Sequence, residues 1–495
     1  MRYFSTRDKS ISFSAAEAIK QGLSRDGGLF LPEKIPAITA GRLDKMCAMS
    51  YRQRAVAVMK LFLEDYTESE LAAFADAAYS PEKFDSPDVA PVRAVDASTY
   101  CLELWHGPTS AFKDMALQML PHLLSAALKK TGETRTACIL VATSGDTGKA
   151  ALEGFRDVPH TKILVFYPRD GVSEIQKLQM VTQEGKNVGV CSVVGNFDDA
   201  QTGVKRIFSD EEIRKTLNDR GYFLSSANSI NWGRVLPQII YYVSVWCDLR
   251  RAGKIGDGEK LTVCVPTGNF GNILSAYYAK LMGVPIGKLV CASNCNDVLT
   301  EFLRTGVYNR NRPFHTTMSP SMDILISSNL ERLLFLLSGG NDAEVRSYMD
   351  SLAATGMYKV SDDIMAKIKE LFWAGSCDEA GTSAAINEYY TRYDYLIDPH
   401  SAVAASVLEQ YRDKTGDSST AVFASTASPY KFCGSVLRSI GEEPKGDGIG
   451  LISQLQDVSG VKAPERLASL GTKEKRFDRV AEKQDMDKVV LDILR

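Results

Sequence analysis

The sequence predicts an open, mostly parallel α/β sheet system covered by helices, preceded by a mainly helical N-terminal region. Three observations predict it. From about residue 96, short and almost wholly apolar runs recur along the chain. Each run ends in a polar loop, most of them bearing glycine, and each loop opens into a helical period. Apolar strands alternating with helices indicate parallel strands buried on both faces.

The elements follow in order. Residues 1–95 lack this rhythm. Helical periodicity marks Ala15–Leu23, Leu43–Leu63 and Ser69–Tyr79. Asp26-Gly27-Gly28 is a turn leading into Leu29-Phe30-Leu31-Pro32, and Pro81, Pro87 and Pro91 punctuate an irregular approach to a boundary near residue 95. Residues 96–440 then form two α/β lobes. Tyr100–Trp105 is a strand, followed by His106-Gly107-Pro108 and a helix to about Lys130. Ala137–Thr143 precedes Ser144-Gly145-Asp146 and a helix. Ile163–Tyr167 precedes a helix over Glu174–Thr182. Leu261–Val265 precedes Pro266-Thr267-Gly268 and a helix from about Asn272. Leu289–Ala292 and Ala421–Ala424 continue the series. An insert at about 300–395 is mainly helical from residue 330, with a break at Gly339-Gly340. Arg304, His315 and Asp323 in this part of the chain are read as structural. Residues 441–495 form a tail packed on the core, ending in a charged surface helix from Leu470.

Composition excludes several function classes. With 495 residues, the length suggests about three domains. A net charge of -3 makes no case for nucleic acid or an anionic membrane. The ten cysteines show no Cys-x-x-Cys spacing and the histidines number five, so neither a disulfide framework nor a metal centre is expected. A reducing, cytoplasmic setting is expected. No apolar run approaches the roughly 20 residues of a membrane span, and residues 1–7 lack a signal-peptide core.

Five loops carry candidate chemistry. Lys113, in Thr109-Ser110-Ala111-Phe112-Lys113-Asp114, stands near a helix start, where the dipole opposes its charge. Partial burial there would favour amine chemistry; by itself, the run reads more readily as a solvated lysine. Pro266-Thr267-Gly268-Asn269-Phe270-Gly271-Asn272 joins a strand to a helix and can turn backbone N–H groups on an anion. A tight turn without ligand fits the same residues. Thr143-Ser144-Gly145-Asp146-Thr147-Gly148-Lys149-Ala150 is not a nucleotide P-loop, since Thr143 and Ala150 replace the required Gly and Ser/Thr. It offers hydroxyls and helix-start donors suited to a carboxylate, or simple N-capping. Asn228-Ser229-Ile230-Asn231-Trp232-Gly233-Arg234 precedes an apolar helix and can grip a phosphate, or merely cap that helix. Ser425-Thr426-Ala427-Ser428-Pro429 is a hydroxyl-rich strand end.

These five runs, in this order and with Ser24-Arg25-Asp26-Gly27-Gly28-Leu29-Phe30-Leu31-Pro32 before them, resemble the threonine synthases, fold-type II pyridoxal-phosphate (PLP) enzymes related to tryptophan synthase β. The resemblance spans roughly residues 1–440 and is nearest to the longer members of the family. It implies that Lys113 carries the cofactor and serves as base. It implies that Gly268, Asn269, Phe270, Gly271 and Asn272 hold the cofactor phosphate, that Thr426 meets the pyridine nitrogen, and that Asp146 lies near the ring. Thr143, Ser144, Gly145, Asp146 and Thr147 would hold the substrate carboxylate. Asn228, Ser229, Asn231 and Arg234, with Thr109 and Ser110 as further candidates, would hold the substrate phosphate. The implied reaction converts O-phosphohomoserine and water into threonine and phosphate, without metal, in a monomer or homodimer. Alternatives are a phospholyase releasing a keto acid, another fold-type II lyase such as a dehydratase, and a non-catalytic phosphate-binding protein.

Overall fold

The computed structural model describes residues 1–169 and 171–494, with Asp198 described for its backbone only. The N-terminal region folds as expected, with one correction. Helices Ala15–Gln21, Ala40–Cys47, Tyr51–Phe62 and Glu68–Ala78 surround a three-stranded antiparallel sheet centred on Tyr3–Ser5. The period over Leu43–Leu63 belongs to two helices, not one. Ser50 caps the second, accepting the Gln53 N–H while Gln53 reaches back to the Ser50 backbone. That reciprocal pair starts a new helix more favourably than the old one continues. The same device starts the helices after Ser14 and Thr67.

Two sheets make up the α/β part of the molecule, and they reach beyond the expected bounds of 96–440 at both ends, through Val92–Ala94 and Val480–Glu482. The larger runs, edge to edge, Phe372–Ser376, Ile286–Ser293, Leu261–Pro266, Ala421–Ser425, Thr99–Glu103 and Val92–Ala94. All its pairings are parallel except the last. The smaller is wholly parallel: Val480–Glu482, Val188–Val194, Thr161–Pro168, Thr136–Ala142 and Tyr222–Ser225. Five of these strands escaped the sequence reading: Val92–Ala94, Val188–Val194, Tyr222–Ser225, Phe372–Ser376 and Val480–Glu482. Phe372–Ser376 is an edge strand inside the stretch read as mainly helical, made a strand by its neighbour Ile286–Ser293. Tertiary pairing overrides local preference there. The tail is likewise more than a surface helix. Val480–Glu482 extends the smaller sheet, and Met486, Val489 and Val490 of the terminal helix join the core beneath Cys191 and Val193.

The helix Trp232–Arg251 runs through the middle of the molecule, apolar on every side and buried along most of its length. Such a helix belongs to the core, where each fully buried large apolar side chain contributes about 1.5–3 kcal/mol. Its N-terminus lies beside the loops that follow the parallel strands, where open α/β sheets bind ligands. Among the described residues no helix is long and apolar enough to cross a membrane.

Candidate active site

All five loops singled out from sequence contribute to the lining of one cavity of about 1300 Å³. Its floor is the segment bearing Lys113. The Phe112 N–H donates to the Thr426 carbonyl (2.8 Å), and Ala111 bridges to Ala427. The segment is thereby clamped to the end of the strand Ala421–Ser425. Asp114 locks the turn from behind, accepting the Thr109 N–H and hydroxyl at 2.8 Å each. Gly107 permits this packing, since a Cβ there would lie 2.6 Å from Asp114 Oδ2.

Lys113 is half-buried and donates to Ser321 Oγ (3.3 Å), which in turn faces Asp146 Oδ2 (3.5 Å). Burial pushes its amine down to about 8. The Asp146 charge opposes that fall, and Arg234 and Lys431 reinforce it. A substantial neutral fraction near neutrality is what a nucleophilic or basic lysine needs. Asp146 begins the helix Asp146–Phe155 and is itself buried. Burial alone would raise its carboxyl, but Lys431 and Lys113 beside it hold it well below the usual carboxylate range.

The glycine-bearing loop 266–272 makes a tight strand-to-helix turn on the cavity wall. Phe270 adopts the left-handed conformation (φ 60°) and packs its ring against Phe372, with centroids 5.8 Å apart. This turns the chain into the eleven-residue helix Gly271–Leu281. Gly268 closes against the segment carrying Ser321, where a Cβ would lie 2.8 Å from the Ser321 carbonyl. Asn272 has its amide oxygen engaged by the Tyr242 hydroxyl, while its buried Nδ2 has no partner among the described residues. A buried donor without a partner costs about 1–3 kcal/mol, which an acceptor placed there would relieve.

A second polar cluster lies at the head of the central helix. Arg234 is buried, donates from Nη1 to the Ala227 carbonyl (2.5 Å), and leaves Nε without a partner among the described residues. Burial lowers its guanidinium to about 10. Asn228 and Ser229 line the cavity beside it, and the buried amide oxygen of Asn228 also lacks a partner.

Other expected residues fall in different places. Thr143, Ser144, Thr147 and Thr426 line the cavity, and Thr143 Oγ1 ties the loop by accepting the Gly145 and Gly148 N–H groups at 2.9 Å each. Thr109, Ser110, Gly145, Asp146 and Asn231 are absent from the lining. Thr109 serves Asp114. Asn231 caps the central helix through Gly233 N–H (2.9 Å) and donates to the Ile19 and Ser226 carbonyls. Asp146 is directed at Lys431 and Gln176.

Sequence reading missed Ser321, His400 and Lys431. His400 lines the cavity; its Nε2 accepts the Ser321 N–H (3.1 Å) and its Nδ1 pairs with Asp398 (2.6 Å). Asp398-Pro399-His400 reads locally only as a helix cap with proline at its first position. Lys431 lay two residues beyond the hydroxyl-rich run Ser425–Pro429. Asp323, expected to be structural, also lines the cavity, with its carboxylate held by Thr317, Asn294 and Asn296. Arg304 is structural, donating to the Ala374 carbonyl.

Three family models match this chain. Residues 2–79 match the threonine synthase N terminus, 86–427 the pyridoxal-phosphate dependent enzymes, and 401–490 the threonine synthase C-terminal region. The human threonine synthase-like 1 is 40% identical over 435 residues, 86% of this chain and 58% of that protein; the chain thus spans little more than half the length of such relatives. The threonine synthase of Pseudomonas aeruginosa is 37% identical, with 90% of this chain and 92% of the relative covered. The crystal structure of PLP-bound threonine synthase from Brucella melitensis superimposes with a TM-score of 0.88 at 36% identity, covering 100% of both chains.

Proposed function

The chain belongs to the threonine synthase family of pyridoxal-phosphate-dependent enzymes, and from that premise we propose that it converts O-phosphohomoserine and water into threonine and phosphate. The observation that carries this reading is one cavity that holds the half-buried Lys113 together with two separate sites whose buried donors have no partner among the described residues. One site suits a resident phosphate and the other a substrate phosphate.

The cofactor is pyridoxal phosphate, and the residues present fit it. Lys113 would hold it covalently. The cradle of Gly268, Asn269, Phe270, Gly271 and Asn272 would take its phosphate, with the orphaned Asn272 Nδ2 as a donor. Thr426, its backbone pinned by Phe112 and Ser401, would present a hydroxyl to the pyridine nitrogen. When bound, pyridoxal phosphate supplies an electron sink for negative charge developed on the substrate.

The chain's own residues do the rest. Lys113, with its amine lowered by burial, takes the proton from the α-carbon. Arg234, with Asn228 and Ser229, grips the substrate phosphate as it leaves; its planar fork suits two oxygens at once. Ser144, Thr147 and the start of the helix Asp146–Phe155 hold the carboxylate, where free N–H groups and the helix dipole favour an anion. Phosphate release from O-phosphohomoserine, with threonine formed in equal amount, tests the proposal. Release without threonine would refute it. One alternative at the same site is elimination of phosphate ending in a keto acid. Product analysis in the same assay separates the two.

A further inference from the structure

We propose that Lys431 is a positioning residue of this site: its buried ammonium claims the Asp146 carboxylate, leaving Lys113, one hydroxyl away, without a full counter-ion. This rests on the reading that Lys113 carries the cofactor.

The geometry is specific. Lys431 is 0% exposed and ends the turn Pro429–Lys431. Its Nζ lies 2.8 Å from Asp146 Oδ1 and donates to the Thr109 carbonyl at 2.9 Å. Its own carbonyl accepts the Ser173 hydroxyl at 3.1 Å. A lysine is drawn this deep only when its charge is met. Asp146 Oδ1 also accepts from Gln176 Nε2 at 2.8 Å, so the near side of the carboxylate is saturated. Only Oδ2 faces Lys113, and only through Ser321.

The other charged or titratable groups facing this cluster have their own partners or stand farther off. Asp114 is bound by Thr109. Glu153 pairs with Lys149. His400 accepts the Ser321 N–H. Arg234 adds a further positive charge that acts on Lys113. Two cations thus share one carboxylate, and Lys431 has the closer hold. Removing its charge hands the carboxylate to Lys113, and the amine keeps its proton to higher pH.

The test is the rate of pyridoxal phosphate uptake by the cofactor-stripped full-length chain as a function of pH, followed by absorbance. In Lys431→Met the midpoint should rise by about one to three pH units, the range for an opposite charge within a few ångströms. Lys431→Arg should restore it. Asp146→Asn should move the midpoint the other way. The double variant, lacking both charges, should return towards the wild-type value. A purely structural Lys431 would lower the melting temperature or the amplitude and leave the midpoint in place, and an unmoved midpoint in Lys431→Met overturns the proposal. If Lys431→Met does not fold, the Asp146→Asn and double variants decide: equal midpoints in wild type, Asp146→Asn and the double variant overturn it too. Failure of the underlying reading looks different. Borohydride reduction of the wild-type holoenzyme would then place no cofactor mass on Lys113.

Discussion

Replacing Arg234 with Met keeps the apolar stem and removes the fork of donors. The structure sets two opposite expectations for this change. Towards substrate, the guanidinium offers an unpartnered Nε and an Nη group besides the Nη1 held by Ala227. Two charge-assisted bonds at about 1.5–3 kcal/mol each amount to at least about 3 kcal/mol. At roughly 1.4 kcal/mol per decade, kcat/KM for O-phosphohomoserine should fall about a hundredfold or more. Towards folding, the same group is a buried charge with one carbonyl for company. Its loss orphans Ala227 at a cost of about 1 kcal/mol, and removal of an uncompensated buried charge offsets that. The melting temperature of the ligand-free protein should therefore hold or rise. Steady-state kinetics, thermal melts and the absorbance of bound pyridoxal phosphate report the three quantities separately. A melting temperature several degrees lower with kcat/KM intact would make Arg234 structural. Loss of the cofactor would mean that Arg234 serves the other phosphate.

Asn272→Ala removes the orphaned donor of the glycine cradle and should weaken pyridoxal phosphate binding by about 1–3 kcal/mol, seen as a Kd roughly five- to a hundredfold higher in absorbance titration. Asn272→Asp should prevent loading altogether, because it sets a carboxylate against the cofactor phosphate. Lys113, its amine lowered to about 8 by burial, is mostly protonated below that pH and mostly neutral above it. Cofactor uptake by the stripped wild-type chain should thus climb about tenfold per pH unit up to a midpoint near 8; a midpoint near the ordinary lysine value of about 10.4 would show an exposed amine. Phe270→Pro should abolish cofactor binding, because proline holds φ near −65° where the loop needs 60°.

Much of this protein was legible in its sequence, and the reason is local. Apolar runs buried on both faces announce parallel strands, so Thr99–Glu103, Thr136–Ala142, Thr161–Pro168, Leu261–Pro266, Ile286–Ser293 and Ala421–Ser425 could be read directly, while Val188–Val194 and Tyr222–Ser225 could not. Each ligand loop is a short contiguous segment whose glycines, hydroxyls and amides lie next to one another in the chain. Lys113, Arg234 and Asn272 were nameable only because these loops stand together in an order that resembles a family; each loop alone was not decisive. What only the tertiary structure decided are relations between distant segments. Phe372–Ser376 is a strand because Ile286–Ser293 lies beside it, and the tail enters a sheet because Val188–Val194 leaves an edge open to it. Thr109 and Asn231 look like ligand groups in sequence, yet burial turned them to structural bonds. Lys431 looks like nothing in sequence, yet 285 positions separate it from the Asp146 whose charge it meets. A lysine declares its role only once water has been taken from it, and folding alone determines where that happens.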